Sequence, residues 1–386
     1  MLLIPYWRLS GYYFFYFAFV GVFSPYFGLY LQSLSFSAWD ISVLLTQMQL
    51  MRLVGPFFWS AFVDKLGHRI LVIRLTGVAT LGIFSVFFIT HRFEVLLVTL
   101  AVFAFFWVAT LPLVETLTFD HLRNESARYN RIRLWGSVGF IITVLGVGLL
   151  LDHRSPASML WICALSLAGV MLCSLSIPEA SSPHSGETRL PIGRILRQPR
   201  VRVLLVACLA MSAAHGALNI FYAIFLSDHG YDKLLVGGLW TLGVLAEIVV
   251  FYYMARIMRH FGLRYILLIS LGAAVIRFVA IGQWVDHLTV LVLTQLLHGL
   301  TFGAFHSAAI TAVSRWFPGN TRSRGQALYS SVSFGAGGII GGLASGWTWE
   351  YFGGEQAFVM SSLFALVGLV LIQQWFFDED VDKDGK

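Results

Sequence analysis

The sequence predicts an all-α, polytopic membrane protein, with twelve transmembrane helices in two six-helix bundles. Three observations predict it. Hydrophobic residues make up 58% of the 386 residues and charged residues only 12%; a soluble domain carries about a quarter charged residues, so polar surface is too scarce to cover two soluble domains. Apolar runs of roughly the 20 residues that a helix needs to cross a bilayer recur from the first ten residues to residue 376. Connections rich in Lys and Arg alternate with poor ones, the mark of a multi-span chain with a fixed orientation. A transmembrane β-barrel would show short segments alternating polar and apolar residues. These runs are continuous, and a helix satisfies its own backbone hydrogen bonds in lipid.

The predicted spans are 9–32, 39–62, 70–89, 94–118, 133–150, 157–177, 202–227, 234–257, 263–282, 287–314, 325–347 and 353–376. Connections are brief except for residues 178–201 (PEASSPHSGETRLPIGRILRQPRV), a polar stretch rich in Pro and Ser. It divides the chain into an N-terminal bundle (1–177) and a C-terminal bundle (202–377), followed by a tail (378–386). The start, MLLIPYWRLSGYYFF, has no convincing cleavage site and reads as the lead into the first span. The acidic tail reads as a solvated end; it lacks the ligand pattern of a calcium loop.

Of the 26 Lys and Arg, Arg52, Arg74 and Arg277 fall within spans. With the N-terminus placed inside, only Arg92, Arg154 and Lys233 lie on outer connections, and the other twenty lie on inner ones. This bias puts both termini in the cytoplasm, and the expected location is the inner membrane of a bacterium. It also accounts for the formal charge of +6. Nucleic-acid binding would need a basic face on a folded domain, and no segment is large enough to supply one. The glycosylation pattern at Asn124 falls on a predicted inner loop and is discounted. Cys163, Cys173 and Cys208 sit inside spans without metal-like spacing and read as small core residues.

The loops carry motifs. Between spans two and three runs Ser60 to Arg69 (SAFVDKLGHR). Gly67 permits a tight turn, and Asp64 can pair with basic groups or cap a helix end. The corresponding loop of the second half, Ala255 to Arg264 (ARIMRHFGLR), keeps Gly262 and Arg264 but has Arg259 where the acid should be. Ahead of spans five and eleven stand YNRIRLWGSVGF, with Arg131 and Arg133, and RGQALY from Arg324. Together these stretches resemble the major facilitator superfamily, with Ser60 in place of the usual first glycine. They are similar in particular to its phenylpropionate permease branch, which is related to lactose permease-like and nucleoside–proton symporters. The likeness covers nearly the whole chain. It implies the major facilitator fold and a gating role for Asp64, Gly67, Arg69, Glu115, Arg131, Arg133, Gly262 and Arg264.

Ionisable residues inside spans are costly and usually face a cavity or a partner. Glu247 on span eight is the best proton-coupling candidate, with Arg277 on span nine and His298 on span ten. Arg277 either pairs with Glu247 or holds an anionic substrate; the pair can equally be a fixed ion pair that aligns helices. His298 and His306, eight residues apart, would differ by about 80° and about 12 Å on an α-helix, too far apart to share a metal. His215 and Asn219, four apart on span seven, would share a face. Arg52, with few acids nearby, reads as an anion contact or as a side chain snorkelling to the interface. The substrate-cavity candidates are thus Arg52, His215, Asn219 and His306. Glu115 either gates or pairs with Arg128 or Arg131. Most of the aromatic residues of span one are expected to face lipid or neighbouring helices.

No phosphate loop of the G-x-x-x-x-G-K-[ST] type is present. The run Gly335 to Gly342 lies in an apolar span and reads as close helix packing or a flexible gate. Nor do the spans hold the convergent nucleophile, base or metal groups of an enzyme. The expected function is therefore proton-coupled alternating access for a small solute, without cofactor, by a protein that works as a monomer in lipid. An aromatic carboxylate leads as cargo. Export of amphipathic compounds and symport of a nucleoside or sugar are the alternatives.

Overall fold

The computed structural model describes residues 5–122, 126–179 and 192–376. Asn124, the centre of the 178–201 stretch, the acidic tail and the Asp64 side chain lie outside the described residues. Among the described residues, eleven helices are long and apolar enough to cross a membrane. They are α1 (Tyr6–Ser33), α2 (Ala38–Val63), α3 (Arg69–Phe88), α4 (Phe93–Leu122), α5 (Arg128–His153), α6 (Pro156–Ser176), α7 (Pro199–Asp228), α8 (Lys233–Gln283), α9 (Leu288–Trp316), α10 (Arg322–Phe352) and α11 (Gly354–Trp375).

The difference from twelve lies in α8. Its 51 residues cover predicted spans eight and nine. As one straight rod it would measure about 77 Å, well over twice the hydrocarbon thickness of about 30 Å. Gly262 interrupts it at φ 64°, ψ 164°, where two helices meet at a kink. A single glycine here does the work of a polar loop, because only glycine takes that backbone without strain.

Local chemistry explains the ends of α2. The Ser37 hydroxyl accepts the Asp40 N–H at 3.2 Å, and the Asp40 carboxylate accepts the Ser37 N–H at 3.4 Å, a reciprocal cap. The helix continues to Leu66 and stops at Gly67, which takes φ 75° and returns its N–H to the Val63 carbonyl. Nothing lies within 4 Å of a Cβ built on Gly67, so conformation alone demands glycine. Gly67→Ala is expected to cost about 1–2 kcal/mol, and Gly67→Asn less; thermal unfolding in detergent measures both.

The chain forms two compact units: Met1–Ser185 with Gly230–Gly238, and Gly186–His229 with Leu239–Lys386. In the first, α1 packs on α5 and α6, α2 on α4, and α3 on α4 and α6. The α1 aromatics turn inward. Phe19, Phe23 and Phe27 stack in succession at 5.2 and 4.3 Å, with Phe84, Phe87 and Phe103 around them. A polar clamp holds the segment Gly230–Gly238 in this unit. The Asp152 carboxylate accepts the backbone N–H groups of Lys233 (2.6 Å) and Leu234 (3.1 Å). The Tyr26 hydroxyl donates to the carbonyls of Val144 (2.7 Å) and Lys233 (3.1 Å).

In the second unit, α11 packs along α7, and α10 packs on both. The glycine run of α10 makes this possible, since a Cβ on Gly337 would meet the Leu209 carbonyl oxygen at 2.5 Å. Each unit also ties an arginine to the closing carbonyls of its last helix, where unpaired C=O groups and the helix dipole favour a cation. Arg74 donates to the carbonyls of Ser174, Leu175 and Ile177 on and just past α6. Arg264 donates to the Gln373 carbonyl of α11 at 2.7 Å.

Several basic residues assigned to inner loops are helical instead. Arg131 and Arg133 belong to α5, which begins at Arg128 rather than at 133; Arg200 and Arg202 belong to α7, and Arg322 and Arg324 to α10. Helices run past the apolar core into the headgroup region, where an arginine stem lies along the helix with its charge in water.

Candidate functional site

The polar groups of the second unit converge where α8 and α9 approach. Small residues permit the approach: a Cβ on Gly299 would meet the Ala246 carbonyl oxygen at 2.7 Å, one on Gly303 would meet Glu247 Cγ at 3.3 Å, and one on Gly243 would meet His298 Cδ2 at 3.3 Å. Glu247 Oε2 thereby lies 3.8 Å from His298 Nε2. On the other side of the imidazole, Arg277 NH1 lies 3.1 Å from His298 Nδ1.

Arg277 is completely buried. Its NH1 also donates to Thr301 Oγ1 (3.0 Å) and its NH2 to Gln295 Oε1 (3.3 Å), while the Gln295 amide donates to the Tyr222 hydroxyl (2.7 Å). A guanidinium can only donate. His298 Nδ1 is therefore the acceptor, and the ring proton sits on Nε2, facing Glu247. The link between Glu247 and Arg277 that the sequence suggests thus runs through His298.

His215 packs against this group, its ring 6.2 Å from that of His298 and 5.1 Å from that of Phe278. Its Nδ1 donates to the Met211 carbonyl at 2.8 Å, which leaves Nε2 as an acceptor. Among the described residues, His215 Nε2, Arg277 Nε and Trp240 Nε1 are buried without a hydrogen-bond partner. Asn219 is exposed whereas His215 is buried, so the two do not form the side-chain pair that their spacing suggests.

His298, Phe302 and His306 form a row of nearly parallel rings, 5.5 Å apart at 9° and 5.8 Å apart at 6°. The α-helical estimate of 80° fails because a π-helical turn, Gly299–Ala304, lies between the histidines and slows the rotation per residue. His306 Nδ1 lies 2.8 Å from the Tyr329 hydroxyl. A second π turn, Ser331–Gly337, follows Tyr329 in α10. Gln295, Thr301, Tyr222 and Tyr329 escape the sequence reading; as neutral polar residues they leave no charge signal in an apolar run.

In the first unit, Tyr16 stacks flat on Trp107 at 4.4 Å and 2°. Tyr129 donates its hydroxyl hydrogen to Glu115 at 3.1 Å. The Arg133 guanidinium lies 3.8 Å from the Phe17 ring centroid, a cation–π contact. Arg131 is exposed. Arg69 pairs with Asp120 and so joins the start of α3 to the end of α4. Cys163, Cys173 and Cys208 are unpaired. Among the described residues, no group of three His, Cys, Asp or Glu is placed to hold a metal ion.

The sequence profile of the MFS_1 like family matches residues 6–360. The chain belongs to this family. Membership makes it a secondary transporter of a small organic solute and points to transport rather than catalysis. Among its relatives, the "Probable 3-phenylpropionic acid transporter" of Escherichia coli (strain K12) is 28% identical over 95% of this chain and 96% of its own length. The Maltose permease of Geobacillus stearothermophilus is 25% identical over 68% of this chain and 67% of its own length. Among solved structures, that of the nucleoside transporter NupG superposes with a TM-score of 0.86 at 18% identity, covering 98% of this chain and 100% of that one. At that identity the likeness is one of fold.

Proposed function

We propose that this MFS_1 like transporter couples proton movement to the transport of a small aromatic carboxylate by alternating access. The observation that carries the reading is the line Arg277–His298–Glu247, which joins the two parts of α8 to α9 through one imidazole. With Glu247 ionised, the His298 Nε2–H faces a carboxylate and the buried guanidinium has a counter-charge one ring away. A proton on Glu247 removes that counter-charge and weakens the line. The helices it ties are then free to rearrange, and proton binding and conformation become linked, each favouring the other. The cargo class rests on the likeness to the phenylpropionic acid transporter. In the same reading, Gly262 divides α8 into two crossings, giving twelve in two bundles. Both termini face the cytoplasm of a bacterial inner membrane, and the monomer works without a cofactor.

Purified protein in liposomes, challenged with aromatic acids, nucleosides and sugars under an inward proton gradient, tests this. Accumulation of aromatic acids that collapses with a protonophore is the expected result. Responses confined to nucleosides or sugars would replace the cargo, and gradient-driven extrusion of amphipathic compounds would reverse the direction. Gly299→Ala is expected to push α8 off α9 through its clash with the Ala246 carbonyl, at a cost of about 1–3 kcal/mol, and to lower accumulation several-fold. Gly272→Ala, with nothing within 4 Å, should leave accumulation unchanged.

A further inference from the structure

We infer that Arg52 is the carboxylate-recognising residue of the first unit, the group that separates aryl carboxylates from their neutral analogues. This rests on the reading of the cargo as an aromatic carboxylate and assigns that selectivity to one side chain.

Three observations place it. Arg52 lies midway along α2, at a depth where an arginine is expensive unless it has a partner or lines a polar cavity. Among the described residues it makes no hydrogen bond or ion pair; its electrostatic neighbour is the Tyr16 hydroxyl. The other in-span arginines are all engaged: Arg74 on the α6 carbonyls and Arg277 on His298, Thr301 and Gln295.

Its direction follows from its neighbours on α2. Trp59, seven residues on, differs by about 20° around an α-helix, and its indole donates to the Phe105 carbonyl of α4 at 2.7 Å. Gly55, one turn on, abuts Val108 of α4. Arg52 therefore points toward α4 and the Tyr16–Trp107 stack, not away into lipid. Its side chain is exposed there while lying deep among protein atoms, which places it on an internal, accessible surface. Snorkelling to the interface does not fit this placement. One turn before it, Gln49 Oε1 is buried without a partner, a second unfilled polar group on the same stretch of helix. A guanidinium with a free planar fork suits a carboxylate, which it can hold with two parallel bonds.

Calorimetric titration of the purified protein with 3-phenylpropionate and with 3-phenylpropanamide tests this. Arg52→Gln is expected to weaken the acid by about 10- to 100-fold and to leave the amide as it was. Arg74→Gln should leave the affinity for the acid unchanged. Unchanged acid affinity in Arg52→Gln, with a wild-type protein that prefers the acid, would overturn the assignment and leave the cargo reading standing. A wild-type protein that binds no aryl carboxylate would bring down both. If Arg52→Gln does not fold, Arg52→Lys decides: weaker binding of the acid alone supports the assignment, and wild-type binding of both ligands refutes it.

Discussion

Glu247→Gln is expected to abolish uphill accumulation while sparing exchange of substrate across the membrane. Gln keeps the size of the side chain and can still accept the His298 Nε2–H. It can neither carry the negative charge nor release a proton. The line from Arg277 then lacks its counter-charge at every stage, and the helices rearrange without regard to the proton gradient. A pH difference of one unit can drive about a tenfold accumulation per proton; in the variant the ratio should fall to about one. Counterflow in liposomes without a gradient should continue. Normal accumulation in Glu247→Gln would exclude an essential coupling role.

Arg277→Met should separate coupling from stability. The guanidinium is completely buried, with neutral hydrogen-bond partners on three sides. Replacing a buried charge with an apolar chain of similar length is often neutral or stabilising by about 1–4 kcal/mol. The melting temperature in detergent should therefore hold or rise, while proton-driven accumulation is lost. Glu247→Gln should behave in the opposite way, since it leaves a buried cation uncompensated. The double variant should melt above Glu247→Gln alone. A single Arg277→Met variant that unfolds would show that the arginine serves chiefly to hold α8 against α9.

The sequence exposes the membrane class and ten of the helices one for one, because long apolar runs separated by charged turns have few other solutions. Glu247, Arg277, His298 and Arg52 are visible for the same reason, each a charge or imidazole inside an apolar run. Their order in space is not visible. That His298 stands between Glu247 and Arg277 depends on missing side chains at Gly243, Gly299 and Gly303 and on a π turn, none of which alters hydropathy. The join at Gly262 is hidden because apolar and helix-forming residues continue on both sides. Thr301, Gln295 and Tyr222 complete the arginine's shell, but uncharged polar residues of this kind are common in spans that bind nothing.

The π turns give chain length an unusual meaning in this protein. A turn closed by i→i+5 bonds holds one residue more than its α-helical neighbours. Losing one residue from Gly299–Ala304 or from Ser331–Gly337 would restore a plain helix, with every loop and every crossing intact. All that follows in that helix would swing by about 100°, and from the first site His306 would turn away from Tyr329. Two proteins of this kind that differ by one residue inside a span, and nowhere in their loops, would share a topology yet present different side chains to the same solute.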